Sequence, residues 1–481
     1  MGIIVAALVA PTRTLRSAFY TRWMGCRARI TVMCALLASL VITGIARAKP
    51  NVLVIVTDDQ RANTLGVMPK TRSIFLREGR QYTNAFAVTP LCCPSRASIF
   101  TGRFAHNTKV RTNDDARRLD TSTMFPRLLR SAGYESAFVG RFLNGWGGLR
   151  RPPPHFDRWA RFGGKEAYTN PMVNVNGLIR GVAGYSTDLV GHFAVRFLRR
   201  FEAKDARPWL LYVAPHAPHY PWKPAARHAS APVPFWPGNP AVFERDRSDK
   251  PAYVLRSRST VTVGRRVRRG QLRALMAVDD MVGSLFQTLG QLRESGNTLA
   301  IYVSDNGYTW AEHRLGRYGT GGGQKRVPYT PSVKVPLLLR WPGHVGPGAK
   351  SARLTGTVDL APTILAAAQV APDPSKPPLD GRSLLDAGTR RHMLLEYWKD
   401  RMRIPTWASL RARTFQYVEY YAADGVTRTS LEFYDLVRDP WQLRNLLGDG
   451  NRGNNPKLKT LRRKLVRARA CAGTTGAKAC P

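Results

Sequence analysis

Acidic residues are scarce. Asp and Glu number 32 against 74 Lys and Arg in 481 residues, a formal net charge of +42. Such a chain does not suit polycations and attracts polyanions such as sulfated glycans, nucleic acid or an anionic surface. The arginines are spread along the whole chain, so a compositional habit of the source genome accounts for the same figures equally well. Cysteine is also rare, six in all, and no Cys/His spacing of the zinc type occurs. No internal repeat is present. What remains suffices for a folded body: 43% hydrophobic residues and eleven tryptophans exclude a disordered chain. The length allows one large domain or two.

The N-terminus reads as an export signal. Arg27 and Arg29 precede an apolar run from Ile30 to Ile45, and Ala46-Arg47-Ala48 offers a small-x-small cleavage site. Met1 and Met24 are both candidate starts. The run is shorter than the roughly 20 residues of a spanning helix, so removal of 1–48 leaves no membrane span. Cys26 and Cys34 leave with that segment. Cys471 and Cys480 lie close enough for a local disulfide in an exported protein, a spacing that permits the bridge without requiring it.

Asn51 to Thr57 is a continuous apolar, β-branched run suited to a central parallel strand, and it ends in Asp58-Asp59. Paired carboxylates there lie where open α/β sheets place their ligands. The pattern predicts helices near 71–78, 123–132, 271–292 and 361–368. Strands are predicted at 135–140, 207–214, 298–303, 335–340 and 354–359, the third ending in Ser304-Asp305-Asn306-Gly307. From 223 to 263 the chain is rich in Pro, Arg and Ser without a period, which reads as an irregular surface lobe near the site mouth. Past residue 390 the character changes to strands at 393–397, 413–420 and 430–434 and a basic helix at 457–469. The fold class is therefore α/β: a large mixed, mainly parallel sheet flanked by helices on both faces, then a smaller C-terminal antiparallel-sheet subdomain. The expected divisions are 1–48, 49–389 and 390–481.

The stretch Leu91-Cys92-Cys93-Pro94-Ser95-Arg96 to Thr101-Gly102-Arg103 reads as a loop turning into a short helix. Pro94 suits the first helical position, which places Cys92 just outside the helix start. Unpaired N–H groups there favour an anion, and Arg96 can aim a rigid fork of donors toward it. Asp58, Asp59, Asp305 and Asn306 form a hard, all-oxygen donor set suited to calcium or magnesium.

Cys92-x-Pro94-Ser95-Arg96 with Thr101-Gly102-Arg103 resembles the signature of the type I sulfatases, of the alkaline-phosphatase-like superfamily. The Asp-Asp pair, the Asp-Asn pair and the Tyr434-Asp435-Leu436 to Asp439-Pro440 stretch fall in that family's order. The resemblance implies that 49–389 is the catalytic domain. It also implies that a formylglycine-generating enzyme oxidises Cys92 to formylglycine (3-oxoalanine), which works as its hydrate and passes through a covalent sulfo-enzyme. It implies a calcium ion, ahead of magnesium, held by Asp58, Asp59, residue 92, Asp305 and Asn306. Arg96 then stabilises the hydrate, His219 contacts the sulfate and protonates the leaving oxygen, and Lys325 binds the sulfate. His216 is a neighbouring candidate for substrate binding.

The chain departs from the family where many members have Gly-Lys-x-His: here stands Gly140-Arg141-Phe142-Leu143. Arg141 keeps the charge with another donor geometry, and Asn144 is the candidate for part of the missing histidine's role. The Leu143-Asn144 pair, the Cys-Cys-Pro-Ser-Arg-Ala-Ser-Ile run and Ser304 to Tyr308 resemble the N-acetylglucosamine-6-sulfatase branch. The expected substrate is thus a sulfated small molecule or glycan, of N-acetylglucosamine-6-sulfate type, acted on outside the cytoplasm, with no nucleic acid as partner. Two alternatives stand beside it: a phosphoester or phosphonate hydrolase of the same superfamily, and a non-catalytic polyanion-binding protein. His313 either lines the mouth or is simply exposed.

Overall fold

The computed structural model describes residues 49–163, 168–204, 207–316 and 324–481. The export signal and the glycine-rich 319–323 segment lie outside the described residues.

Fourteen strands occur among the described residues. In chain order the first ten are β1 (Asn51–Thr57), β2 (Arg80–Phe86), β3 (Glu135–Gly140), β4 (Arg158–Gly163), β5 (Met172–Val175), β6 (Leu178–Gly181), β7 (Trp209–Ala214), β8 (Thr298–Ser304), β9 (Leu337–Arg340) and β10 (Ala349–Gly356). They form one sheet in the order β10-β2-β9-β8-β1-β7-β3-β4-β5-β6. The central β8-β1-β7-β3-β4 block is parallel throughout. Every residue of β1 is buried, because both faces of the sheet are covered. Val52, Val54 and Val56 point to one core, Leu53 and Ile55 to the other. Each such side chain contributes about 1.5–3 kcal/mol by leaving water.

The first core is closed by helices α1 (Cys92–Thr101), α2 (Phe125–Ser131) and, later in the chain, α5 (Leu360–Ala367), which supply Phe100, Leu129 and Ile364. The second is closed by α3 (Ser186–Glu202) and α4 (Val261–Gln291), through Phe193, Phe197, Leu275 and Met281. The remaining strands, β11 (Met393–Tyr397), β12 (Thr406–Arg411), β13 (Phe415–Tyr421) and β14 (Arg428–Asp435), make an antiparallel sheet in sequence order. Helix α6 (Leu458–Arg469) covers it with Leu461 and Leu465. That core also takes in Phe86, Val327, Tyr329 and Leu354. Cys471 and Cys480 are bridged.

Several expectations need correction. Helix α4 starts ten residues earlier than its apolar period suggested, because its first turns bury only Gly264 and Val267 among arginines. The strand expected at 354–359 is shifted: β10 ends at Gly356, and a 3-10 turn follows over Thr357–Asp359. The 223–263 segment is irregular as far as Pro251 apart from a 3-10 turn at Ala226–His228, but it is not wholly a surface lobe, since Glu244, Arg247, Lys250, Tyr253 and Val254 are buried. Helix α1 begins at Cys92, so Pro94 is its third residue; an N–H there has no partner within the helix either. Gly102 ends it as expected, at φ 65° with its N–H on Ser98 O.

Candidate active site

The register of the central sheet assembles the acids. Thr57 of β1 pairs with Ser304 of β8 in parallel, so Asp58-Asp59 and Asp305-Asn306 leave the sheet side by side. Asp305 N–H donates to Thr57 O at 3.0 Å, Asp59 N–H donates to Asp305 Oδ1 at 3.2 Å, and Asn306 Nδ2 donates to Asp59 Oδ1 at 2.7 Å. Asp59 takes a left-handed backbone, φ 67°, a conformation that Asp tolerates better than most residues. Gln271 of α4 secures it by donating from Nε2 to Asp59 O at 3.2 Å.

The start of α1 meets this cluster. Cys92 Sγ lies 3.4 Å from Asp58 Oδ1, and Lys325 Nζ donates to Cys92 Sγ at 3.0 Å and also to Asp59 Oδ1. One turn on, Arg96 ties three segments together. Its Nε donates to Asp305 Oδ2 at 2.8 Å, its Nη2 is 3.2 Å from Asp58 Oδ2, and its Nη1 donates to Arg141 O at 2.8 Å.

The ends of β3 and β7 complete the site. Gly140, at φ 113°, lets the chain pass so close to β7 that a Cβ would stand 2.0 Å from Ala214 O. Arg141 N–H donates to Ala214 O at 2.9 Å, and Arg141 Nη1 donates to His216 Nδ1 at 2.6 Å. An imidazole that accepts at Nδ1 carries its proton on Nε2, and His216 Nε2 is 3.1 Å from Tyr220 O. His216 thus stands behind Arg141 as a neutral support. Burial first, then Arg141, pushes its pKa well below the usual histidine value. His219 is oriented from its other side. Nδ1 donates to Tyr220 O at 2.8 Å, Tyr168 Oη donates to His219 O at 2.6 Å, and His219 Nε2 faces Asp59 Oδ2 at 3.7 Å.

Burial dominates the electrostatics. It pushes the Cys92 thiol well above its ordinary pKa, and the Asp58 carboxylate adds to the effect, so the unmodified side chain is a poor thiolate nucleophile. Burial also pushes up the Asp305 carboxyl, with Asp58 adding and Arg96 opposing. At Asp58 burial is outweighed by His219, Arg96 and Lys325, which hold that carboxyl well below the usual carboxylate range.

A hard cation fits these donors. Ligand atoms of Asp58, Asp59, Cys92 and His219 all lie within 4.8 Å of one another. Asn306 Oδ1 is buried beside them without a hydrogen-bond partner, which is costly unless a donor or a cation takes it. Three crowded carboxylates ask for more positive charge than Arg96 and Lys325 supply. Asp305 lies outside that group of four but is tied to it, its two oxygens accepting from Asp59 N–H and Arg96 Nε.

The candidates from both ends of the chain therefore converge. Asn144 is placed differently from the others: its carbonyl lies 3.5 Å from Cys93 Sγ, in the wall behind the signature. His313 is 1% exposed, with Nδ1 at 2.7 Å from Glu244 Oε2, and is not an exposed residue. Sequence reasoning missed Gln271 and Tyr168, and also Asn113, whose Oδ1 accepts from Cys93 N–H at 3.0 Å. None of the three carries a local signal, since each matters only through a contact distant in sequence.

Among known proteins, the closely matching solved folds include a protein in complex with its substrate D-glucosamine-2-N,6-O-disulfate (TM-score 0.75, 23% identity, 87% of this chain and 97% of that one). They also include a phosphonate monoester hydrolase from Silicibacter pomeroyi (TM-score 0.65, 21%, 87% and 95%). At these identities they show the fold. In sequence, N-acetylglucosamine-6-sulfatase of Homo sapiens is 28% identical over 89% of this chain and 86% of its own length. A Sulf-1 homologue of Caenorhabditis elegans is 31% identical over 74% of this chain, which spans about half, 52%, of that relative. The C-terminal region matches the family described as N-sulphoglucosamine sulphohydrolase, C-terminal, over residues 320–470. Residues 50–370, which hold every acid, cation and cysteine of the site, match the family described as Sulfatase, and the chain belongs to that family of sulfuric ester hydrolases.

Proposed function

We propose that this is an exported sulfatase that removes sulfate from glycans of the N-acetylglucosamine-6-sulfate type, using formylglycine made from Cys92 and a bound calcium ion. The observation that carries the reading is the position of residue 92, in contact with both Asp58 and Lys325. A hydrated aldehyde at residue 92 supplies one hydroxyl to attack sulfur and a second whose proton loss releases sulfate. Asp58, Asp59, Asp305 and Asn306 would hold the calcium, which supplies charge neutralisation for the sulfate oxygens.

The chain's own groups do the rest. Arg96 offsets the negative charge of Asp58 and Asp305, so that an anionic ester can approach. Lys325 and Arg141 point fixed donors at the sulfate oxygens as charge builds on them. His219 keeps its Nδ1 proton on Tyr220 O and directs Nε2 into the site, where the second proton of a protonated ring, on Nε2, can pass to the departing alcohol oxygen. His216 keeps Arg141 in place. Asn144 lines the wall next to Cys93.

The glycan assignment rests on the named relative that shares most of both lengths. Export rests on the N-terminal signal pattern and on the Cys471–Cys480 bridge, which favours an oxidising compartment. Among the described residues no helix is long and apolar enough to cross a membrane. The test is a steady-state comparison of matched aryl sulfate and aryl phosphate, followed by defined N-acetylglucosamine-6-sulfate substrates. A higher kcat/KM for the sulfate is expected, and preference for the phosphate overturns the reading.

A further inference from the structure

The first half of α4 carries five arginines between Arg265 and Arg273, and they divide into two sets. Arg265 donates to Trp236 O and Pro237 O, and Arg268 donates to Pro234 O, so these two fasten the 234–237 segment. Arg266, Arg269 and Arg273 follow the i, i+3, i+7 spacing of one helix face. That face lines a groove of about 390 Å³ together with Tyr220, Trp222 and Gln324. Arg266 and Arg269 are exposed. Arg273 donates to Ala231 O at 2.9 Å. Among the described residues no carboxylate lines this groove.

The groove belongs mechanically to the active site. Tyr220 directly follows His219, and Gln324 directly precedes Lys325. Trp222 rests on α4 at Gly270, where a Cβ would meet Trp222 Cβ at 2.8 Å and Trp222 O at 3.0 Å. The indole Nε1 of Trp222 is buried without a partner. Three guanidiniums spread over about 10 Å of helix, beside two aromatic rings, match a chain of sugar rings bearing anionic groups. Aromatic faces pack against the apolar faces of sugars, and guanidinium forks pair with sulfate or carboxylate oxygens.

We propose that this groove is a subsite for a second anionic group on the same substrate, so that the preferred substrate is an oligosaccharide bearing several sulfates or carboxylates. The proposal rests on the glycan sulfatase reading above. Arg266 and Arg269 pair with the flanking anionic group, and Tyr220 and Trp222 support the sugar between it and the ester being cleaved. The pairing sits at a solvent-exposed rim, so it acts mainly on substrate capture and is weakened by salt.

The experiment uses the full-length double variant Arg266→Ser/Arg269→Ser, which removes exposed charges only. Its substrates are N-acetylglucosamine-6-sulfate and a defined tetrasaccharide carrying several sulfates and uronates. On the tetrasaccharide kcat/KM is expected to fall about tenfold, mostly through KM, with a shallower dependence on salt. On the monosaccharide it stays within about twofold of the parent enzyme. Equal losses on both substrates, or no loss on the tetrasaccharide, overturn the subsite. Calorimetric binding of the tetrasaccharide to both proteins reads the groove independently of turnover. If the parent enzyme cleaves neither sulfate but the variant still binds tenfold more weakly, the substrate reading fails and the groove stands. A single-stranded oligonucleotide of equal charge that binds the groove as tightly as the tetrasaccharide overturns the glycan assignment.

Discussion

Lys325 Nζ donates to Cys92 Sγ at 3.0 Å, although the two residues are 233 positions apart in the chain. The ammonium is buried and also bonds Asp59, so it cannot be an idle surface charge. Lys325→Met is expected to lower kcat/KM on an aryl sulfate by about 10²–10³-fold. Lys325→Arg restores the charge but not the fit, and is expected to recover little. Near-parental rates for Lys325→Met would remove this residue from the mechanism.

Cys92 is 2% exposed and its thiol is held protonated. Active protein is therefore expected to show the aldehyde mass at residue 92, and Cys92→Ala to be inactive while folding normally. Modification of the folded protein is expected to fail, because no enzyme can reach the side chain there. Full activity alongside an intact thiol, seen by peptide mass analysis, would refute the formylglycine reading.

Removal of divalent cations is expected to abolish activity and lower the melting temperature, with calcium restoring both more fully than magnesium. Ligand saturated at 100 times its Kd contributes about 2.7 kcal/mol. Asn306→Leu is expected to weaken calcium binding by calorimetry, because its buried Oδ1 is an oxygen left without a hydrogen-bond partner. An unchanged calcium affinity in that variant would count against the site.

His106, in the short turn after α1, ties that segment to β11 and to Cys471 near the C-terminus. Its Nδ1 faces both oxygens of Glu396 and its Nε2 faces Cys471 O at 2.9 Å, so both ring nitrogens meet acceptors. Burial opposes the charge, but Glu396 and the Cys471 carbonyl outweigh it and hold the pKa at about 9. The folded value lies above the unfolded one of 6.5, so this stabilisation is complete below pH 6.5 and is lost as pH rises through 9. His106→Gln is expected to cost up to about 3 kcal/mol at pH 6 and little above pH 9. Equal costs at both pH values, by urea unfolding, would contradict the ion pair.

Gly140→Ala puts a Cβ within 2.0 Å of Ala214 O at a φ of 113°. About 3 kcal/mol of stability is expected to be lost, with kcat falling as well, because Arg141 follows directly. A variant as stable as the parent would show that β3 and β7 can separate there.

Much of the sheet was legible in the sequence. The continuous apolar runs of β1, β7 and β8 can be explained only by burial on both faces, and their polar ends name the site. Helix α3 and strands β2, β4 to β6 and β12 were not read. β5 and β6 have four residues each, and β6 has no fully buried residue. The start of α4 was hidden because a helix that buries glycine and valine between arginines shows no apolar stripe. Gln271 and Asn113 left no trace, since an amide that secures a backbone group looks like any other polar residue.

By itself the sequence determined the family and named the candidate residues: a cysteine signature, acids at strand ends and an excess of arginine, all local patterns with local causes. Only the tertiary structure decided which groups meet. The Thr57–Ser304 register sets the acids side by side, Arg96 binds them to the third segment, and Gly270 brings the His219 loop against an arginine face. Those are contacts between residues distant in the chain, made by strand pairing, by a close backbone approach and by buried charges that must find a partner.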